Sequence, residues 1–245
     1  MCSQSIKGQL MMSPSEWQER NSYMSSAIVD LVRGYVRVET NRGLDIGCAE
    51  GTVVDTIKAK TGIEMFGIDP RVGKDVGNIS PAGAKLLHGG AHDLPFSDSY
   101  FDFAILANVY EHIPPKLRAR ALREINRVLV KGGMLIGQLP NPFFPIEQHS
   151  RLPLMGYLPK VVQLRYWKFA PVSSKARLGL PKVWFPVTIN DLKKEGETAG
   201  FKAVSIIKFG YPADVFPPKF RQTARLLEGI IRAFPFAWQF VLEKR

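Results

Sequence analysis

The chain has 245 residues, 45% of them apolar, which is enough for one large domain or two small ones with a substantial core. Its two cysteines, Cys2 and Cys48, lie far apart in sequence, so neither a disulfide framework nor a cysteine-ligated metal site is expected. No run of about 18 apolar residues occurs and residues 1–20 are mostly polar, so we expect a cytoplasmic protein that spans no membrane, with peripheral membrane association left open by its net charge of +11.

Short apolar runs alternate with helical patterns through the first 141 residues. Helices are predicted at Ser15–Val32, Thr52–Lys60 and Lys116–Leu129, and Lys131-Gly132-Gly133 is predicted to break the third of them. Strands are predicted at Gly43–Gly47, Glu64–Ile68, Lys85–His88, Phe101–Ala107 and Gly133–Leu139. This alternation is typical of an α/β fold with a parallel sheet.

The alternation stops after Pro140, over residues 142–187. A structureless loop of that length is uncommon in a compact domain, so we interpret the segment as a substrate lid or a locally folded cap. It contains eight aromatic residues, and seven basic residues against the single acid Glu147. The aromatic side chains could pack together, stack on bases or hold an apolar acceptor.

Regular patterns resume at Thr188, which with Asp191 predicts a capping box for a helix that ends at Ala199-Gly200. Strands are predicted at Phe201–Phe209 and Ala237–Glu243. Between them, an amphipathic helix at Lys219–Phe234 would pack on the sheet edge or lie on a membrane surface. Residues 142–245 carry 17 Lys and Arg against 7 Asp and Glu, which favours anionic partners or serves solubility alone.

The turn after the first strand, within Leu44–Val53, is the most informative segment. A pyrophosphate-binding G-x-G-x-x-G pattern would place glycines at positions 47, 49 and 52, but Ala49 and Thr52 occupy two of these positions. The negative charge of Glu50 would also repel a phosphate from the helix that follows. A cationic ligand therefore fits the turn better, and S-adenosylmethionine, with its sulfonium and ammonium groups, is such a ligand.

Further segments give these residues a family context. Asp69 ends the second strand, 24 residues after Asp45, where it could accept hydrogen bonds from ribose hydroxyls. The other segments are His92-Asp93-Leu94-Pro95-Phe96, Asp98, Phe101-Asp102, Asn108-Val109-Tyr110-Glu111-His112-Ile113, Arg123-Glu124-Ile125-Asn126-Arg127-Val128-Leu129 and Lys131-Gly132-Gly133. With them, residues 40–141 resemble the class I S-adenosylmethionine-dependent methyltransferases, especially the small-molecule branch called methyltransferase type 11. The unit at 188–209 fits the resemblance too.

The resemblance implies a Rossmann-like fold. The expected sheet has seven mostly parallel strands with helices on both faces, an antiparallel pair formed by strands six and seven, and a lid inserted after strand five. We expect one methyltransferase domain over residues 1–245. Its parts would be an N-terminal helical segment at 1–40, a cofactor-binding core at 41–141, the lid at 142–187 and the rest of the sheet at 188–245.

The resemblance also implies a cofactor site for S-adenosyl-L-methionine. The methionine moiety would be lined by Asp45, Gly47, Ala49 and Gly51, the ribose would be bound by Asp69, and Asn108 would lie under the methionine end. Asp93 would accept from the adenine amino group while Leu94 packs on the adenine ring. The family's turn reads D-x-G-x-G-x-G, so Gly51 is in phase and Ala49 departs from it; a methyl group at Ala49 is tolerable with ordinary backbone angles.

Methyl transfer is an in-line displacement that needs positioning and exclusion of water. A hydroxyl acceptor would benefit from a base, for which His112 and His149 are candidates; a capping or packing role for His112 and a surface position for His149 are the alternatives. The favoured acceptor is a small molecule, lipid or saccharide, methylated at oxygen. The alternatives are an RNA methyltransferase that uses the basic C-terminal surface and a non-catalytic cofactor-binding scaffold. Asn141-Pro142-Phe143-Phe144 is similar to the motif of amino-group methyltransferases that act on nucleic acid, but it follows the fifth strand where that motif should follow the fourth.

Overall fold

A single sheet of seven strands organises the computed structural model, which describes residues 14–36, 39–145, 154–168, 185–210, 222–223, 225–226, 229 and 235–245. The strand order is β3-β2-β1-β4-β5-β7-β6. The strands are β1 Arg42–Ile46, β2 Glu64–Asp69, β3 Lys85–His88, β4 Phe101–Ala107, β5 Leu129–Pro140, β6 Phe201–Phe209 and β7 Ala237–Lys244. The first five pair in parallel and β7 pairs antiparallel with both of its neighbours, which confirms the expected mostly parallel, Rossmann-like sheet.

Helices cover both faces of the sheet. They are α1 Pro14–Tyr35, α2 Thr52–Thr61, α3 Pro115–Val128, α4 Lys160–Lys168 and α5 Ile189–Thr198. Apolar side chains of α1 and α2 join one buried cluster, and those of α3 and α5 join another. The strands contribute to both clusters by alternation, since Ala104 and Leu106 face one and Phe103 and Ile105 face the other. The side chains of a doubly covered sheet are thereby removed from water on both faces.

Local sequence signals explain where several elements begin and end. Helix α5 starts with the predicted capping box, in which Thr188 Oγ1 accepts from Asp191 N (3.1 Å) and Asp191 Oδ2 accepts from Thr188 N (3.0 Å). Helix α2 ends at Gly62, whose backbone is left-handed with φ +74°. The capping box could be read from the sequence because it depends only on neighbouring residues, whereas the prediction ended α2 at Lys60 and did not include the cap at Gly62.

The junction between α3 and β5 differs from the prediction. Helix α3 ends at Val128 and β5 starts at once at Leu129, whereas the sequence suggested a strand beginning at Gly133. Leu129 already pairs with Phe101, and the register then shifts before Phe103 pairs with Met134. Gly133 accommodates the irregularity, because a Cβ there would lie 3.0 Å from Asp102 O.

The lid predicted at 142–187 is described only in part. Residues 154–168 form a short 3-10 helix, Met155–Tyr157, followed by α4. The segments at 146–153 and 169–184 lie outside the described residues, as does most of the helix predicted at Lys219–Phe234. Among the residues that the structure describes, no helix is long and apolar enough to cross a membrane.

Candidate functional site

The sequence-predicted residues gather at one edge of the sheet. Strands β1 to β5 run in parallel, so their carboxyl ends share this edge, and the chain order reverses between β1 and β4. Ligands of open α/β sheets bind in the crevice at such a switch point. The turn after β1 and the loop after β4 flank this crevice, which therefore is the candidate site.

The turn after β1 is held tightly against its neighbours. Gly47 N–H donates to Ile68 O (2.7 Å), and Gly47 adopts φ +75°. A Cβ at Gly47 would overlap the side chain of Val109, so the turn is in direct contact with the loop after β4. Gly51, with φ +85°, packs equally closely on Ser80, whose Cβ would lie 2.7 Å from an added Cβ. Both glycines are needed for their backbone angle and for their lack of a side chain.

Ala49 does not have the ordinary backbone angles expected from the sequence. Its φ is +49°, in the left-handed region that L-residues with a Cβ populate at a cost of about 1 kcal/mol. The conformation is stabilised by a hydrogen bond from Ala49 N–H to Asp69 Oδ2 (3.0 Å). The turn therefore keeps the glycine-type geometry with an alanine in the middle position.

Replacing Ala49 by glycine should stabilise the protein by about 0.5–1 kcal/mol, because the left-handed angle costs glycine almost nothing. Urea unfolding measures the change. The matched control is Ala119→Gly at an exposed position inside α3, which should destabilise by about 1 kcal/mol. Destabilisation by both substitutions would contradict the strain at Ala49.

Two carboxylates, Asp45 and Asp69, lie buried at the carboxyl ends of β1 and β2. Burial, together with the nearby charge of Asp69, raises the pKa of Asp45 to about 8. Burial would also raise the pKa of Asp69, but hydrogen bonds from Arg71 and Ala49 outweigh it and hold that pKa below its usual value. The crevice therefore contains one ionised carboxylate and one that is protonated at neutral pH, a pair suited to a cationic ligand.

Arg71 forms an ion pair with Asp69, the carboxylate that was predicted to bind a ribose. Its Nε and backbone N donate to Asp69 Oδ1 (3.1 and 2.8 Å), and its terminal nitrogen donates to Asp69 Oδ2 (3.2 Å). With the bond from Ala49, the carboxylate accepts four hydrogen bonds, which is about its full capacity. The guanidinium is half-exposed and can rotate away, whereas the two backbone donors are fixed.

The predicted adenine contacts lie in the loop after β3. The side chain of Asp93 is 80% exposed and its Oδ1 lies 3.5 Å from a guanidinium nitrogen of Arg120, so it is accessible to a ligand. Leu94 is instead buried in the core, and its backbone N–H donates to Glu124 Oε2 (3.1 Å). Arg127 secures the same loop by donating to Leu94 O (3.0 Å) as well as to Glu124. The roles of Asp93 and Leu94 toward adenine remain predictions.

Asn108 lies at the end of β4 beside the glycine turn. Its φ is +56°, an angle that asparagine tolerates better than most residues. Asn108 N–H donates to Gln138 O (2.8 Å), and its Oδ1 accepts from Gln138 Nε2 (3.2 Å). Gln138 is buried in β5, so the neighbouring strand fixes the orientation of the Asn108 amide.

The structure describes only one of the two candidate bases, His112. His112 ends the 3-10 helix Tyr110–His112, four residues beyond Asn108, and its Nε2 lies 3.9 Å from Glu111 Oε1. Its side chain is 39% exposed, which leaves it accessible to an acceptor. His149 lies outside the described residues, so its role stays a prediction.

Three structural partners were missed by the sequence analysis. Arg71 follows Asp69 by two residues, and that spacing between opposite charges could have indicated the ion pair. Gln138 and the hydrogen bond from Tyr110 Oη to Glu195 join positions far apart in the chain, so no local pattern indicates them. Within the described part of the chain, no group of His, Cys, Asp and Glu side chains could hold a metal ion.

The family model described as methyltransferase domain matches residues 44–137, which span the turn, both carboxylates and the loop after β4. Over these residues the chain is similar to the class I S-adenosylmethionine-dependent methyltransferases. The family and the fold imply S-adenosyl-L-methionine as the cofactor of this methyltransferase domain. The buried acid Asp45 and the close backbone of the Gly47 turn fit a cationic, ribose-containing molecule.

Curated relatives match a similar share of the chain. Demethylmenaquinone methyltransferase of Staphylococcus aureus (strain MRSA252) is 35% identical over 102 residues, which cover 39% of this chain and 41% of the relative. The same enzyme of strain JH9 matches over the same length with the same identity. The chain thus spans less than half the length of these relatives.

Solved structures match over most of the chain and show the fold. An S-adenosylmethionine-dependent methyltransferase of Archaeoglobus fulgidus has a TM-score of 0.57 at 18% identity and covers 90% of this chain and 94% of its own. One of Mesorhizobium loti has a TM-score of 0.58 at 15% identity, with 88% and 96% covered. The PH0226 protein of Pyrococcus horikoshii has a TM-score of 0.59 at 14% identity, with 94% and 91% covered.

Proposed function

We propose that this protein transfers a methyl group from S-adenosylmethionine to an oxygen atom of a small-molecule, lipid or saccharide acceptor. The observation that carries the donor half is the buried pair Asp45 and Asp69 at the switch point of the sheet. Two acids in a crevice disfavour a phosphate and favour a ligand with positive charges and sugar hydroxyls. Asp45 then neutralises the ammonium group, and Asp69 accepts from the ribose once Arg71 has moved aside.

The acceptor class is supported by three observations. The curated relative is named for a methyltransferase of demethylmenaquinone, which favours a small-molecule or lipid acceptor here. The described parts of the lid at 142–187 expose apolar and aromatic side chains. The same segment holds seven basic residues and one acid, which suits an acceptor that carries or lies near negative charge.

The protein's own part in the reaction is positioning and proton transfer. S-adenosylmethionine supplies, when bound, a methyl group on a positively charged sulfur that an acceptor displaces in line. The acceptor oxygen forms the new bond to carbon, the carbon–sulfur bond breaks, and its electron pair stays on sulfur. His112 receives the hydroxyl proton of the acceptor and returns it to water, while Asn108 and the Gly47 turn fix the line of approach.

Calorimetric titration with S-adenosylmethionine tests the donor half of the proposal. Asp69→Ala should weaken binding by about 10- to 100-fold, because it removes hydrogen bonds to a charged acceptor that the ribose would make. Asp30→Asn, at an exposed position of α1, removes a carboxylate away from the crevice and should leave the affinity unchanged. Binding unaffected by Asp69→Ala would overturn the site.

Transfer of a labelled methyl group across a panel of alcohols, phenols, quinones and saccharides tests the acceptor half. Mass spectrometry of the product locates the methyl group, and methylation at nitrogen or carbon would overturn the assignment to oxygen. Salt-sensitive RNA binding together with methylation of RNA would favour the RNA methyltransferase. Cofactor binding without turnover on any acceptor would favour the scaffold.

A further inference from the structure

Large apolar side chains are exposed together on the described part of the lid. Half of the ten such side chains that are exposed among the described residues lie between positions 143 and 162. Their exposed fractions range from 43% to 68%. We call this set the exposed apolar patch, and it consists of Phe143, Leu154, Tyr157, Val161 and Val162.

Contacts hold the first part of the exposed apolar patch together, and α4 with Val161 and Val162 follows it directly in the chain. Tyr157 Oη donates to Phe143 O (2.7 Å), and the two rings lie 5.5 Å apart between centroids. Leu154 N–H donates to Pro145 O (2.7 Å). The backbone of Gly156 packs so closely on Pro142 O that no side chain would fit there. These contacts join the chain after β5 to the segment that leads into α4.

The exposed apolar patch opens on the same edge of the sheet as the cofactor crevice. It begins three residues after β5, at whose carboxyl end Asn141 Nδ2 donates to Pro235 O (2.8 Å). Strand β5 lies beside β4 in parallel, so the carboxyl ends of both strands, including Asn108, face this edge. A large partner bound to the patch would therefore lie next to the mouth of the crevice.

The charge around the exposed apolar patch identifies the kind of partner. Residues 142–187 carry seven Lys and Arg and only one acid, and Arg165 of α4 is exposed close to Val161 and Val162 in sequence. Exposed apolar side chains in a basic segment are typical of protein surfaces that lie on anionic bilayers. A second copy of the chain would instead bring two strongly basic segments together, which like-charge repulsion disfavours.

We propose that the exposed apolar patch docks on an anionic membrane surface. Its apolar side chains enter the interfacial region of the bilayer, and the exposed Arg165 lies at the headgroups. The crevice would then face the membrane, so that an acceptor dissolved in the bilayer reaches it without crossing water. This last step rests on the proposed function, whereas the docking itself does not.

Co-sedimentation with lipid vesicles tests the docking. Wild-type protein should bind vesicles of phosphatidylglycerol and phosphatidylcholine, and bind pure phosphatidylcholine much more weakly. Changing Val161→Ser and Val162→Ser together should lower the partition coefficient by about 30-fold, because each valine side chain that enters the bilayer interface contributes on the order of 1 kcal/mol and about 1.4 kcal/mol is a factor of ten. Arg165→Gln should lower it by about fivefold and reduce its salt dependence.

The matched control is Ile79→Ser, which changes a side chain as exposed as Val161 on the opposite side of the sheet, next to β3. It should leave vesicle binding unchanged. The proposal is wrong if no binding occurs at low salt, if both vesicle types bind equally, or if the control weakens binding as much as the valine variant. Light scattering that shows a dimer only in the protein with intact valines would assign the patch to a second copy.

Cofactor calorimetry separates this proposal from the proposed function. Vesicle binding without any binding of S-adenosylmethionine would retain the docking surface and remove the methyltransferase assignment. Cofactor binding without vesicle binding would retain the methyltransferase assignment and remove the docking surface.

Discussion

Asp45→Asn is expected to remove a loss of stability that the wild-type protein shows as pH rises. The pKa of Asp45 is about 8 in the folded protein and near 3.8 in an unfolded chain. Between these values the folded protein holds a proton that the unfolded chain has released, so the free energy of unfolding falls as pH rises through this window. The asparagine variant carries no such proton. It should therefore be the more stable protein at about pH 9, by a few kcal/mol, since a tenfold change in proton affinity corresponds to about 1.4 kcal/mol.

Asp69 does not mask this effect. Its pKa is lowered, so the stability that its ionised form contributes is present above its ordinary pKa and is lost only as pH falls through the lower value. Thermal unfolding of both proteins between about pH 5 and about pH 9 measures the difference. Parallel profiles for wild type and Asp45→Asn would contradict the raised pKa, and Asp30→Asn serves as the control for loss of an exposed charge.

Cofactor binding should also report on the proton that Asp45 holds in the folded protein. An ammonium group next to Asp45 favours the ionised carboxylate, so binding near neutral pH is expected to release close to one proton. Titrations in buffers with different ionisation enthalpies measure that release. In Asp45→Asn the release should vanish, and the affinity should fall by about 10- to 100-fold as a charge-assisted hydrogen bond is lost.

Gly47→Ala is expected to destabilise the protein by about 2–4 kcal/mol. The methyl group would overlap the side chain of Val109 and the residue would keep φ +75°, so steric overlap and backbone strain add together. Urea unfolding measures the loss, which is opposite in sign to the gain expected for Ala49→Gly two residues later. A change below about 0.5 kcal/mol would contradict the close contact.

The overlap and the strain at Gly47 can be separated with a second substitution. Val109→Ala removes the atoms that an alanine at position 47 would meet, so the double variant should lose less stability than the two single changes predict together. The part that Val109→Ala does not recover is the cost of the left-handed angle. Additive losses would show that Val109 is not the neighbour that excludes a side chain.

The positions of the strands could be predicted from the sequence because each strand is a short apolar run bounded by turn residues. Lys85–His88, Phe101–Ala107 and Phe201–Phe209 are found with the predicted ends. The start of β5 could not be predicted from the sequence, because Leu129 continues the apolar stripe of α3. Only its pairing with Phe101 makes Leu129 part of a strand. Pairing with a distant strand leaves no local periodicity to read.

The candidate site was predictable to a similar extent. Asp45, Gly47 and Gly51 stand in a motif, and the structure brings Val109, the residue after Asn108, against the same turn. The left-handed angle of Ala49 could not be read, because an alanine at that position gives no sign of the backbone it adopts. The burial of Leu94 likewise depends on Glu124 and Arg127, which come from a helix 30 residues further along the chain.

The ion pair between Arg71 and Asp69 competes with the proposed binding of a ribose to Asp69. For the proposed ribose contact, cofactor binding is an exchange of partners on one carboxylate, in which the guanidinium leaves as the hydroxyls arrive. The measured affinity is then the difference between two interactions of Asp69 rather than the strength of one. A substitution at Arg71, which needs no contact with the cofactor, is consequently expected to tighten cofactor binding. Ligand docking that keeps the Arg71–Asp69 ion pair rigid would miss the site.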